Sequence, residues 1–451
     1  MTPPRQAVIL VCLALSAALT APPGLRAGET PALSLSEALA RALERNPTLA
    51  SMRAQAAAAQ AVAEEAGSSR WPRVLFDAGA RYTDQPVLAF GDKLTAGTFT
   101  ADDFALDRLN DPDPIGHLTV GVTVEAPLLT SGRIAASVAA TRGGAAAAGA
   151  KLRAAELDLA LAVIESYHAV SLAHAALGVA TSALADARGH EAAAAARVDE
   201  GSALRSDLLR AQVLRLRRER DLDRRGADLE IARARLRSLL RGAGDAPVDP
   251  SDPLVAPPEP SGSLAEWSAR ALRERPEIAA AREGAVAAEA GERAVQAALR
   301  PEMSGLARYA RDIESLDEDQ GSYLVGVSLR WSVFERGRAP RVEEAAMHRA
   351  AADADAAVVE DAIRLEVERA FLDAGVAFRS LHAASEAVGA AEAARRITAE
   401  RYTAGLLPLT DLLDVEAQLE AARQGDLEAV YESVVARARL ARAAGALEVP
   451  R

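Results

Sequence analysis

Asp411 and Asp414 stand three residues apart, so on a helix they share one face. Copies of that face arranged around an axis would form a carboxylate ring, which attracts cations and repels anions. The same acids also suit ordinary helix-start chemistry, with Thr410 or Asp411 as the N-cap and acidic residues in the first turn. The two readings are compatible, since a residue near a cap can also face a pore. Just before them Gly405 sits where a helix-ending glycine belongs, and Gly201 occupies the same place before Asp207.

No other constellation offers chemistry. The six histidines are scattered, and His168 and His174 do not share a helical face. There is no Ser/His/Asp pattern, no metal-ligand spacing and no Gly-rich phosphate loop, so the chain reads as a non-enzyme without cofactor or metal. A net charge of -12 without a basic stripe argues against a nucleic-acid partner.

The elements around the aspartates occur twice. Arg197-Val-Asp-Glu-Gly201 followed by Asp207-Leu-Leu returns as Arg401-Tyr-Thr-Ala-Gly405 followed by Asp411-Leu-Leu. Val120-Gly-Val-Thr-Val124 before Gly132-Arg133 returns as Val325-Gly-Val-Ser-Leu329 before Gly337-Arg338. Ser34-Leu-Ser-Glu-Ala38 with Asn46-Pro47 is echoed by Ser263-Leu-Ala-Glu-Trp267 with Arg275-Pro276. The order helix, strand, strand, very long helix, turn, returning helix therefore repeats, with residues 28–241 and 263–451 as the two copies. A Pro-rich linker, 242–262, separates them.

Proline-free stretches run from Arg133 to about Glu200 and from Arg341 to about Thr403. At 1.5 Å per residue each is on the order of 100 Å long, which requires coiled-coil packing along the length. Ser36 is the expected N-cap of the first helix. Four segments change to a period of two, for example Val74, Phe76, Ala78, Ala80 and Tyr82 against Arg73, Asp77, Gly79 and Arg81. Such strands suit either a half-buried sheet on a soluble core or a membrane barrel, and Tyr82, Tyr323 and Trp331 near their ends favour the barrel. Four strands cannot close a barrel, so a membrane reading entails an oligomer. Residues 88–116 read as a long exposed loop on the outer face, and Arg133 and Arg338 as exposed helix-start arginines or pore contacts.

The N-terminus reads as a signal peptide, residues 1–27, with Arg5, the apolar run Ala7 to Thr20 and a cleavage site at Leu25-Arg26-Ala27. The only cysteine, Cys12, lies within it, and Ile9-Leu10-Val11 place no small residue beside it for lipid attachment.

In this order and duplication the chain resembles the TolC-like outer-membrane efflux proteins over essentially all of its mature length. The residues that carry the resemblance are Leu35-x-Glu37-Ala38 with Asn46-Pro47, Gly132-Arg133, Gly337-Arg338 and the two Gly-x5-Asp tips. It implies an internally duplicated α+β membrane protein: a homotrimer whose twelve strands, four per chain, form one outer-membrane β-barrel continuing into a periplasmic α-helical barrel. It further implies the exit duct of a tripartite efflux or type I secretion system, in contact with outer-membrane lipid, a periplasmic adaptor and an inner-membrane pump. Asp411, Asp414 and Asp207 then match the pore constriction, and Gly201, Gly405, Leu204, Leu406 and Leu407 the adaptor-contact tips. Where relatives often carry a basic residue two positions after the inner-tip glycine this chain has Leu407, and Arg205 in the other tip is the available substitute. The competing reading is a periplasmic coiled-coil scaffold without a pore.

Overall fold

The computed structural model describes residues 33–241, 248–315 and 318–448. The expected signal peptide with Cys12, and residues 242–247 of the linker, lie outside the described residues. The order is α1 (Leu35–Arg45), α2 (Pro47–Ser68), β1 (Arg73–Thr83), α3 (Pro86–Ala96), η1 (Ala101–Phe104), α4 (Leu106–Asn110), β2 (Ile115–Leu129), α5 (Arg133–Asp199) and α6 (Arg205–Leu240). The second half follows as α7 (Leu264–Glu274), α8 (Pro276–Ala297), β3 (Glu302–Ser315), β4 (Glu318–Arg330), α9 (Arg338–Thr403) and α10 (Leu409–Ala443).

The strands form one antiparallel sheet in the order β1-β2-β3-β4, which leaves β1 and β4 as free edges. Register puts Phe76 beside Val122, Val122 beside Tyr309 and Tyr309 beside Tyr323, so one apolar face runs across all four strands. Every residue of β1 but the last is exposed, and Val74, Phe76, Tyr82, Val325 and Val327 stand open to the surroundings. Among the described residues no helix covers that face. A soluble sheet would bury it, so the soluble-core alternative fails. The other face is polar and cross-linked: Arg73–Glu125 at 2.7 Å, Asp77–Arg308 at 2.9 Å, His117–Asp312 at 3.1 Å and Ser304–Ser328 at 2.8 Å. Trp71 and Trp331 flank the helix end of the sheet, where an interfacial aromatic girdle would sit.

Residues 88–116 are not the open loop that their Asp, Gly and Pro content suggests. Pro86 starts α3, Gly97 ends it in the left-handed region, and Phe90, Phe99 and Phe104 meet edge-to-face with centroids 4.7–6.4 Å apart. Three aromatics spread through a polar segment give no periodic signal, which is why the sequence hid this small core. Arg81 on β1 anchors the insert through Asp92, and α3 lies against β3 and β4, on the polar side that Arg81 shares.

The two long helices are flanked along their length. Above, α2 and α8 pack on α5 and α8 on α9; below, α6 and α10 pack on α5 and α10 on α9. Each layer therefore has the linear order α2–α5–α8–α9 or α6–α5–α10–α9. A Cβ at Gly143 would stand 3.0 Å from the Glu283 carbonyl oxygen and from the Ala287 Cβ, so this glycine lets α5 and α8 touch backbone to backbone.

Where the upper and lower layers meet, buried polar side chains fix the crossing. Ser34, not Ser36, caps α1 in a reciprocal box with Glu37. Tyr167, fully buried, donates to the Leu33 carbonyl at 2.8 Å and meets Asp252 at 3.0 Å, tying the residues that lead into α1 and the linker to α5. In the second copy Arg275 grips Glu366 through two 2.9 Å bonds and Glu277 at 2.9 Å, and also donates to the Arg442 and Ala443 carbonyls. Arg442 bridges Asp158 on α5 to Glu277 on α8. Burial pushes the Glu277 carboxyl up, but the hydrogen bond from Arg442 and the charges of Arg275 and Arg442 outweigh it and hold it below its ordinary value.

Removing one partner from this buried network leaves charges uncompensated. Arg442→Met should cost about 3 kcal/mol in thermal or denaturant unfolding. Because the folded Glu277 carboxyl is held low, its contribution is complete above its ordinary value of 4.5 and is lost as pH falls below it. Glu277→Gln should therefore flatten the acid limb of the stability profile; an unchanged limb would dismiss the linkage.

Candidate functional site at the hairpin tips

Each hairpin ends in the same backbone device. Gly201 and Gly405 both have φ of 73°, the left-handed region that side chains avoid. The Gly201 N–H donates to Val198 at 3.0 Å and Ser202 to Arg197 at 2.8 Å; Gly405 donates to Tyr402 at 3.0 Å and Leu406 to Arg401 at 2.9 Å. Four residues later the returning helices begin, with Leu204 and Pro408 as N-caps that offer no side-chain bond.

Asp207 and Asp411 thus occupy equivalent third positions of α6 and α10, and neither is the cap. Thr410 is not the cap either. Their carboxylates lie in the first turn, where the helix dipole favours negative charge. Asp411 and Asp414 are both exposed on one helical face, and Asp207 is half-buried with Arg210 3.6 Å away. Within one chain the three acids are not brought into a shared cluster. Among the described residues no group of three or more His, Cys, Asp or Glu could hold a metal. Leu204 and Leu406 project as exposed apolar side chains at the outermost turns, and Leu407 is half-buried beside them. Arg205, the substitute latch, is an exposed first residue of α6.

The contacts that do join the two tips involve other residues. Arg197 lies over the Tyr402 ring, 4.7 Å from its centroid. His190 and Glu416 approach to 2.6 Å, and Arg395 stands 3.6 Å from the same carboxylate. Arg218 pairs with Glu420, whose carboxyl is raised by burial, with the Arg218 charge pulling the other way. Ala194, Ala211, Leu409 and Leu412 close a small apolar core beneath them. For one of these pairs the spacing is suggestive, since His190 precedes Gly201 by eleven residues and Glu416 follows Gly405 by eleven; the other pairs stand at unequal distances from the glycines. Arg133 is no exposed arginine, since it bonds Glu302 at the start of β3 and so locks the strand-to-helix junction; Arg338 is exposed.

The chain combines one apolar-faced sheet, two long hairpins and paired glycine tips, and comparison with known proteins decides its family. The outer membrane efflux protein family model matches residues 38–242 and 267–446. The chain belongs to the outer membrane efflux protein family. It is an outer-membrane efflux channel reaching into the periplasm, a passive conduit and not an enzyme. Solved structures with the same fold include the outer-membrane channel OprN, 22% identical over 91% of this chain and 89% of that one, with a TM-score of 0.76. The CmeC outer membrane channel of Campylobacter jejuni is 15% identical over 92% and 87%, with a TM-score of 0.78. The MtrE outer membrane channel of Neisseria gonorrhoeae, in its open state, is 21% identical over 92% and 89%, with a TM-score of 0.75. No curated protein matches significantly.

Replacing Gly405 or Gly201 by Ala forces a side chain into the left-handed region at a cost of about 1 kcal/mol. Amide hydrogen exchange over the last turns of α9 and α5 should accelerate by about fivefold in the respective variants. The same substitution at Gly389, inside α9, should leave the tips unchanged.

Proposed function

We propose that this efflux channel works as a homotrimer: three four-stranded sheets complete one twelve-stranded barrel in outer-membrane lipid, and three pairs of hairpins continue it through the periplasm. The observation that carries the reading is the pair of free edges in every layer. β1 and β4 end the sheet, α2 and α9 the upper helical layer, and α6 and α9 the lower one. Backbone in lipid must pair all of its N–H and C=O groups, so the sheet edges must be covered by other strands. Each copy offers one first-half edge and one second-half edge. That is a head-to-tail contact, which closes into a ring.

In such a ring Asp411 and Asp414 contribute six carboxylates at the periplasmic end, with Asp207 in the neighbouring hairpins, forming a cation-attracting constriction. Gly201, Gly405, Leu204, Leu406 and Leu407 form the rim that a periplasmic adaptor would grip, the exposed leucines supplying apolar contact. An inner-membrane pump would supply the energy, in a tripartite efflux or type I secretion assembly.

Single-channel recording of the purified protein in a planar bilayer tests the constriction. Wild type should give small cation-selective currents, and Asp411→Ala/Asp414→Ala larger ones with reduced selectivity. Identical currents from both would reduce the aspartates to helix-start residues. Absence of any conductance would remove the pore reading.

A further inference from the structure

Around the free sheet edges the two halves of the chain are related by fixed offsets. Pro47, Trp71-Pro72 and Arg73 recur 229 residues on as Pro276, Arg300-Pro301 and Glu302. Val120-Gly-Val and Arg133 recur 205 residues on as Val325-Gly-Val and Arg338. The offsets carry contacts as well as residue order. In the first strand pair Arg73 stands opposite Glu125; the offsets then set Glu302 opposite Arg330, which is the register the second pair has. Arg53 on α2 lies 3.5 Å from Glu156 on α5. On α8 and α9 that place is taken by Arg282 and Glu360, 2.7 Å apart and within one residue of the offset.

The ladder between halves, β2 with β3, has no counterpart inside one chain, because its counterpart would join the free edges β4 and β1. In a ring every first half lies between two second halves, so the β2–β3 ladder is the template for the contact between copies. Under the offsets, Leu306 beside Glu125 becomes Asp77 beside Arg330, and Arg308 beside Thr123 becomes Gly79 beside Ser328. Tyr309 beside Val122 becomes Ala80 beside Val327, and Arg311 beside Val120 becomes Tyr82 beside Val325.

The chemistry of both edges agrees with this alignment. Asp77 and Ser328 lie on the polar face, where they bond Arg308 and Ser304, whereas Tyr82, Val325 and Val327 lie on the open apolar face. Polar positions therefore meet polar ones, and a slip by one residue would cross the faces. A slip by two keeps the faces but sets Arg330 across from Leu75 or Gly79 instead of Asp77. Arg330 is exposed, and its neighbour within the sheet, Glu302, already holds Arg133. Asp77 bonds Arg308 at 2.9 Å, and a carboxylate has acceptor sites for a second guanidinium. The upper helical edges fit as well. Gly143 of α5 makes room for Glu283 and Ala287 of α8; the equivalent contact sets His348 of α9 against Ala54 and Ala58 of α2, all three exposed, so the small residues are on the other side.

We propose that β4 of one copy pairs antiparallel with β1 of the next in the register of β2 with β3, with Ser328 opposite Gly79 and Arg330 opposite Asp77 of the adjacent copy. The inference rests on the ring assembly and adds the alignment of its strands. Backbone bonds alone would form in several registers; the two faces and the Arg330–Asp77 pair select one.

The test is cysteine cross-linking of the full-length protein in detergent, with light scattering of the wild type alongside and each single-cysteine variant as background. Gly79→Cys/Ser328→Cys under mild oxidation should give a covalent ladder up to the trimer on non-reducing gels, since directly opposite residues have Cα atoms about 5 Å apart. Gly79→Cys/Gly326→Cys and Gly79→Cys/Arg330→Cys, the pairs of the two-residue slips, stand about 8 Å apart and should not link, as a disulfide needs about 7 Å or less. If a slipped pair links and the direct pair does not, the register is wrong. An oligomeric wild type in which no pair links overturns the β4–β1 ladder but not the ring. A monomeric wild type overturns both. Arg330→Ala and Asp77→Ala should each lower the dissociation temperature of the oligomer, and together by less than the sum; additive losses would remove their contact.

Discussion

A helix of 67 residues is stable only where other helices lie along it, and this chain has two of nearly that length. Neither α5 nor α9 is covered by one partner. Each is covered in pieces, by 22-residue helices above and by helices of 35 or 36 residues below, and α5 has two of each. Everything else follows from arranging those pieces: the strands must be inserted at the top, the turns at the bottom, and a joint must be made where the upper and lower pieces meet.

At that joint the two copies of the repeat use different chemistry. In the first, Asn46 caps α2 through its side chain and the crossing is held by a neutral hydroxyl, Tyr167, against a single carboxylate, Asp252. In the second, the residue in the place of Asn46 is Arg275, the N-cap of α8 whose side chain makes no cap bond and instead holds Glu366, Glu277 and two carbonyls of α10. A bidentate guanidinium can join several helices at once, which an Asn cap cannot. Together with Arg442, whose contacts reach α5, it links the second copy to the first at the level where the helical layers change over.

At the opposite end the insert between β1 and β2 turns one strand connection into a small folded unit. It lies on the polar face of the sheet, leaving the apolar face clear. The second copy has no room for an equivalent, since only residues 316–317 separate β3 from β4. A duplicated chain thus acquires an asymmetric outer end while its four strands stay in one antiparallel sheet.

The duplication, the period-two strands, the long helices and the glycine tips could all be read from residue order, because each depends on local backbone preference or on spacing along one element. The positions of Gly201, Gly405, Asp207 and Asp411 in equivalent turns were legible for the same reason. The aromatic core of residues 88–116, the Arg275–Arg442 network, the Arg133–Glu302 lock and the Arg197–Tyr402 and His190–Glu416 links were not. Each joins residues whose partnership depends on which helices or strands become neighbours, and several charged residues of equal chemistry compete for every such role in the sequence. Sequence alone determined what each element is and where it turns; only the tertiary structure decided which faces meet, because burial and pairing are properties of the packed layers and not of any one of them.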